Sequence, residues 1–161
     1  MPHSMIEIER KFLVKDHRFE NEAVTSRTIK QGFLSTDPNR TVRIRVEEHL
    51  GFITVKGIST DGGISRFEWE NTLSKEAAEA LFKLCLPGTI EKTRYVVPIG
   101  TIHFEVDVFY GRNLGLIIAE VELSDPDQVF EKPAWLGAEV TGDKKYYNAS
   151  LSQFPFKDWG E

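Results

Sequence analysis

The chain is poor in the features that mark several large protein classes. A single cysteine, Cys85, stands among 161 residues, so no intramolecular disulfide can form. No Cys/His cluster offers a zinc site, and no apolar run approaches the roughly 18 residues needed to span a membrane. A secretory leader is not apparent: Met1–Ser4 run directly into Ile6-Glu7-Ile8-Glu9, and Met5 is an alternative candidate for the natural start. Basic excess is also lacking. Twenty Lys and Arg face 25 Asp and Glu, a net charge of −5, which argues against gripping nucleic acid through the overall field. No solenoid repeat or low-complexity linker divides the chain. With 40% hydrophobic residues, 1–161 reads as one cytoplasmic, soluble domain with a real core.

What the chain does have is alternation. Residues 5–14, 41–49, 52–57, 64–72, 90–97, 102–110 and 116–124 read as strands of period two, with 27–35 a weaker eighth. Turn chemistry separates them, as at Asp37-Pro38-Asn39, Thr60-Asp61-Gly62-Gly63 and Gly111-Arg112-Asn113. Such short links imply an antiparallel meander, because parallel pairs need long crossovers. Helices are few. One is expected after an N-cap at Ser74, with Ala77, Leu81 and Leu84 on its apolar face and an end at Pro87-Gly88. Others are expected within 14–23 behind Asp16, at 127–131, and from Asp143 through Ala149. The fold class is therefore α+β, dominated by antiparallel strands.

Alternate strand residues share a face. That rule gathers Glu7, Glu9 and Lys11; Arg43 and Arg45; Thr54 and Lys56; Arg66, Glu68 and Glu70; Lys92 and Arg94; Glu105 and Asp107; Glu120 and Glu122. The opposite faces are mostly apolar. One wet face of an open sheet is the ordinary cause of alternation. Here seven strands carry eight acidic and seven basic residues at matched positions, with few neutral polar ones. A meander of about eight strands can close into a barrel. Its lumen would then be charged, and charges withdrawn from bulk water must be paired or ligated. Arginines and lysines suit phosphate oxygens, and clustered carboxylates suit a hard divalent cation. The pattern thus points to a polyphosphate bound with its metal inside a β-barrel.

Glu7-Ile8-Glu9-Arg10-Lys11 resembles the E-x-E-x-K signature of the CYTH superfamily, the triphosphate tunnel metalloenzymes. Arg43-Ile44-Arg45, Thr54-Val55-Lys56-Gly57, Arg66 to Glu70, Glu91 to Tyr95, Glu105-Val106-Asp107 and Glu120-Val121-Glu122 follow that family's strand-by-strand order. The segment from Val140 to Asn148 is similar to the family's C-terminal helix motif. Two departures stand out. Phe33 follows Gln31-Gly32 where the family often has Tyr, and Lys145 and Tyr147 replace the Arg and Ser of a Lys-Arg-Tyr-Ser-Asn motif.

The resemblance implies a closed eight-stranded antiparallel barrel with a few flanking helices. It also implies Mg2+- or Mn2+-dependent hydrolysis of tripolyphosphate to pyrophosphate and phosphate. Class IV adenylyl cyclase, thiamine or nucleoside triphosphatase, and non-catalytic polyphosphate binding are the alternatives. On this reading Glu7, Glu9, Glu120 and Glu122 are the metal ligands, with Glu105 and Asp107 joining them or holding the basic residues. Lys11, Arg43, Arg45, Lys56, Arg66, Lys92 and Arg94 hold phosphate, with Lys144 at a tunnel mouth. Lys11, Arg43 and Arg45 are also the catalytic candidates, together with Glu68 and Glu70, which orient the basic residues or position water. His3, His17, His49 and His103 are not expected to act as bases. Cys85 and the tryptophans are expected in packing roles. The outward apolar faces exceed what so few helices can cover, which makes a homodimer patch a candidate surface.

Overall fold

The computed structural model describes residues 5–160, so the expectations for Met1–Ser4, His3 among them, fall outside the described residues. Nine strands alternate with short helices. They are β1 (Ile6–Val14), β2 (Thr25–Ser35), β3 (Thr41–Val46), β4 (Leu50–Thr60), β5 (Ser65–Ser74), β6 (Ile90–Ile99), β7 (Ile102–Phe109), β8 (Ile117–Glu122) and β9 (Leu136–Glu139). The helices are α1 (Phe19–Glu22), α2 (Lys75–Phe82) and α3 (Asn148–Gln153). The strand order is β5-β4-β3-β2-β6-β7-β8-β1-β9, and β1 also pairs with β5. Eight strands therefore form a ring, and β9 lies on β1 beyond it. Every pairing is antiparallel.

Closure depends on β1. Ile6, Glu7 and Ile8 pair with Phe67, Arg66 and Ser65 of β5. On its other edge Glu9 to Leu13 pair with β8. Past the β5 contact, the freed edge is taken by β9 at Phe12 and Val14. Register shifts between Phe33 and Ser35 and between Lys56 and Ser59 supply the extra twist a closed sheet needs. The β4–β5 turn passes through positive φ at Asp61, Gly62 and Gly63. Gly142, with φ +80°, packs against that turn so closely that an added Cβ would lie 2.1 Å from the Gly62 carbonyl oxygen.

Two apolar clusters divide the packing. One lies outside the barrel wall, where Phe12, Val97, Phe104, Val106, Ala119 and Val121 meet Phe19 of α1 and Trp135. The second comprises Phe33, Ile90, Phe109, Leu116, Ile118, Tyr146 and Leu151. Phe33, Ile90, Phe109 and Ile118 share strand faces with Gln31, Lys92, Asp107 and Glu120, so they point inward. Together with Tyr146 and Leu151 from the C-terminal segment, they stopper one end of the barrel.

Several expectations are met and several are corrected. Ser74 caps α2, its Oγ accepting from the Ala77 backbone N–H at 3.1 Å. Its packing residue is Ala78, which sits on Gly51, while Leu84 lies past the helix end and is exposed. Asp16 turns the chain by accepting from the Arg18 N–H, and α1 shrinks to one turn. No helix forms at 127–131. The helix expected from Asp143 splits into a 3-10 turn at Lys144–Tyr146 and α3, broken at Tyr147 (φ −68°, ψ 138°). Trp135 is core, but Trp69 is half-exposed on the outer wall beside Phe67 and Ile6. Cys85 is partly buried against Gly32.

Candidate active site

The inward faces enclose a cavity of about 300 Å³. Eight cations line it: Lys11, Arg27, Arg43, Arg45, Lys56, Arg66, Lys92 and Arg94. Seven carboxylates do too: Glu7, Glu9, Glu68, Glu70, Glu105, Glu120 and Glu122. Fourteen of the 16 residues expected from the strand pattern and the family motif therefore converge on one space. The two that do not are Lys144 and Asp107. Lys144 is exposed in the 3-10 turn, outside the lining. Asp107 is fully buried on the inward face, beneath the cavity lining, as a counter-ion. Its oxygens accept from Arg94 Nε at 2.8 Å and Nη2 at 3.0 Å, and lie 2.8 Å from Lys92 Nζ.

Much of the charge is paired. Lys56 Nζ sits 2.9 Å from Glu7 and 3.4 Å from Glu68. Arg43 reaches Glu70 at 3.5 Å, and Arg94 reaches Glu105 at 3.5 Å and Glu120 at 3.8 Å. Yet the pairing is incomplete in a directed way. The Nε donors of Arg43 and Arg45 are buried without an acceptor. Arg45 Nε lies 3.0 Å from Glu47 Oε2, but the two are misaligned for a hydrogen bond, and both atoms count as unsatisfied. Buried donors of this kind call for an acceptor that the chain does not supply. Burial, with Arg43 and Arg94 nearby, lowers the Arg45 pKa to about 10. Burial lowers Lys92 to about 8 despite Asp107. A site that strains against its own positive charge is suited to a polyanion.

The carboxylates show the complementary strain. Glu9 stands opposite Glu122 in the β1–β8 register and diagonal to Glu120. Burial and then the neighbouring Glu120 and Glu7 hold the Glu9 carboxyl well above its usual range. Burial would also raise Glu120, but Lys11 and a hydrogen bond from Glu9 outweigh it and hold it well below. Burial and then Glu7 raise Glu68 to about 7. Among the described residues, no three such side chains form a ready-made metal shell. The donor set still fits a hard cation whose shell is completed by phosphate oxygens. It is all carboxylate, and Glu9 and Glu122, opposite one another on β1 and β8, form no ion pair among the described residues.

Residues outside the expected set also contribute. Glu47 follows Arg43 and Arg45 on the same strand face, so its signal was present in the period-two pattern. Arg27 belongs to a face that reads Arg27, Ile29, Gln31, Phe33, where apolar residues mask it. Asn148 accepts from Gln31 Nε2 and from Lys92 Nζ, the latter at 2.8 Å, and no strand periodicity marks it. Tyr147 also lines the cavity.

Residues 5–155 match the CYTH domain family. The chain belongs to that family. It is 44% identical over 156 residues to an inorganic triphosphatase of Acetivibrio thermocellus, covering 96% of this chain and 98% of the relative. It is 38% identical to an inorganic triphosphatase of Nitrosomonas europaea, covering 92% and 97%. A crystal structure of an inorganic triphosphatase superposes with a TM-score of 0.65 at 33% identity, over 94% of this chain and 97% of that one. The barrel and its charged interior are therefore those of a CYTH protein.

Proposed function

We propose that this chain hydrolyses inorganic triphosphate to pyrophosphate and phosphate with the help of Mg2+ or Mn2+. The observation that carries the reading is the cavity itself, in which eight cations and seven carboxylates surround one space and buried arginine donors lack acceptors. The likeness to inorganic triphosphatases over nearly the full length supports it.

Arg43, Arg45, Arg94 and Lys92 hold the phosphoryl oxygens, with the arginines able to bind them bidentately. Glu7, Glu9, Glu120 and Glu122 would hold the divalent ion, which would neutralise phosphate charge and polarise the phosphorus when bound. Water adds to the terminal phosphorus as its bond to the bridging oxygen breaks, and the electron pair leaves with pyrophosphate. Charge that grows on the leaving group meets guanidinium and ammonium groups already in place, and no side-chain nucleophile is needed. Glu68 and Glu70 orient Lys56, Arg43 and Arg45 from the wall. No described helix is long and apolar enough to cross a membrane. With one cysteine and no disulfide framework, the reading places the protein in the cytoplasm.

The test is a product assay on tripolyphosphate with Mg2+ or Mn2+, and with chelator. Equal amounts of phosphate and pyrophosphate are expected, with none in chelator. ATP as the better substrate, or cyclic AMP as a product, would contradict the assignment.

A further inference from the structure

Two cavity cations differ from the rest. Among the described residues, Lys11 and Arg66 form no ion pair, whereas the other lining cations all do. Arg66 donates Nε to the Gly57 carbonyl at 2.6 Å and Nη2 to Thr41 Oγ1 at 2.9 Å, both neutral acceptors, and both cations face the same ring. Lys11 Nζ lies 5.0 Å and Arg66 Cζ 5.6 Å from the centroid of Tyr147. A ring quadrupole attracts cations without neutralising them, and neither cation is closed off by a carboxylate in ion-pair contact.

The ring is itself fixed. Its hydroxyl lies 3.2 Å from Ser59 Oγ. A Cβ on Gly63 would stand 3.1 Å from that same hydroxyl, so the turn leaves it little room. Tyr147 thereby touches the β1, β4 and β5 side of the ring. The next residue, Asn148, bonds Gln31 of β2 and Lys92 of β6 on the far side. These two residues cross the barrel above the apolar stopper, and the cavity is blind at this end.

We infer that Tyr147 is a positioning residue that holds Lys11 and Arg66 in a blind anion subsite for an unesterified terminal phosphoryl group. The inference rests on the triphosphatase reading and names the substrate class more closely. A free phosphoryl end carries more negative charge than an esterified one, which suits two cations that lack an ion-paired carboxylate. It also carries no substituent for the closed floor to exclude. A triphosphate esterified at both ends has no end that can enter.

Steady-state kinetics on the full chain with Mn2+ test this. Tyr147→Ser is expected to raise KM for tripolyphosphate about tenfold, as loss of two cation–π contacts implies. Its kcat should stay within about threefold of wild type, because the contacts serve ground and transition states alike. Tyr147→Phe, which keeps the ring, should restore KM. Diadenosine triphosphate should neither be cleaved by wild type nor compete with tripolyphosphate. An unchanged KM in Tyr147→Ser would overturn the inference, as would competition by diadenosine triphosphate at concentrations near the tripolyphosphate KM. The diadenosine arm uses wild-type protein, so it stands even if the serine variant misfolds. Wild-type inactivity on tripolyphosphate would instead refute the triphosphatase reading.

Discussion

Replacing Asp107 by Asn separates a counter-ion from a metal ligand. The side chain is fully buried, so solvent does not screen its interactions. It is bonded to Arg94 through both oxygens and paired with Lys92, itself 1% exposed. The substitution keeps shape and removes one charge, leaving two buried cations short of a partner. Breaking a buried pair in this way costs about 3–5 kcal/mol. Arg94 keeps Glu105 at 3.5 Å and Glu120 at 3.8 Å, which favours the lower half of that range. For a chain of 161 residues, the loss corresponds to a fall in melting temperature of about 10 °C. The assay is thermal unfolding in chelator, where a metal ligand would have nothing to bind and its loss would relieve repulsion. A melting temperature within about 2 °C of wild type, or above it, would refute the counter-ion role. The acid limb provides a second reading. Burial raises the Asp107 carboxyl, but Arg94 and Lys92 outweigh it and hold it below the usual range. Its contribution is therefore present above the ordinary carboxylate pKa and is lost as pH falls through the lower folded value. Asp107→Asn should flatten that part of the stability profile.

Other substitutions probe separate parts of the account. Glu9 carries a raised pKa from burial and from Glu120 and Glu7, so its ionisation opposes folding as pH rises. Glu9→Gln should raise the melting temperature in chelator at neutral pH while reducing Mn2+-dependent turnover at least about 100-fold. Greater stability with wild-type turnover would contradict its place in the metal site. Gly142→Ala forces a side chain at φ +80° into the Gly62 carbonyl and should cost about 2–4 kcal/mol in denaturant titration. An unchanged midpoint would show that the seam between the β4–β5 turn and the C-terminal segment is loose. Arg43→Ala and Arg45→Ala should each lower kcat about 10²–10³-fold while the protein stays folded by circular dichroism. Wild-type turnover in either would remove that residue from the phosphate wall.

Alternation made most of the barrel legible, because a period of two survives wherever one face is charged and the other apolar. The ring could be inferred from charge on matched faces, but its closing contact could not, since the β1–β5 pairing spans only Ile6 to Ile8. β9 escaped notice because four residues that include Gly137 give too short a pattern. In the site, charge alone did not separate lining from wall. Asp107 obeys the same parity as Glu105, yet Arg94 and Lys92 cover it, so it lies beneath the lining rather than on it. Lys144 belongs to a motif whose working residues here are Tyr147 and Asn148, and what they touch depends on a chain path that local sequence does not encode. Glu47 was within reach of the parity rule, whereas Arg27 was hidden by the apolar residues on its own face.

Calorimetric titration of tripolyphosphate, with Ca2+ standing in for the divalent metal, tests the central claim most directly: paired charges inside the ring await a polyanion. One binding site per wild-type chain is expected, with affinity lost when Arg43 and Arg45 are both replaced by alanine. Absence of binding heat across several temperatures, or affinity unaffected by the double replacement, would contradict it.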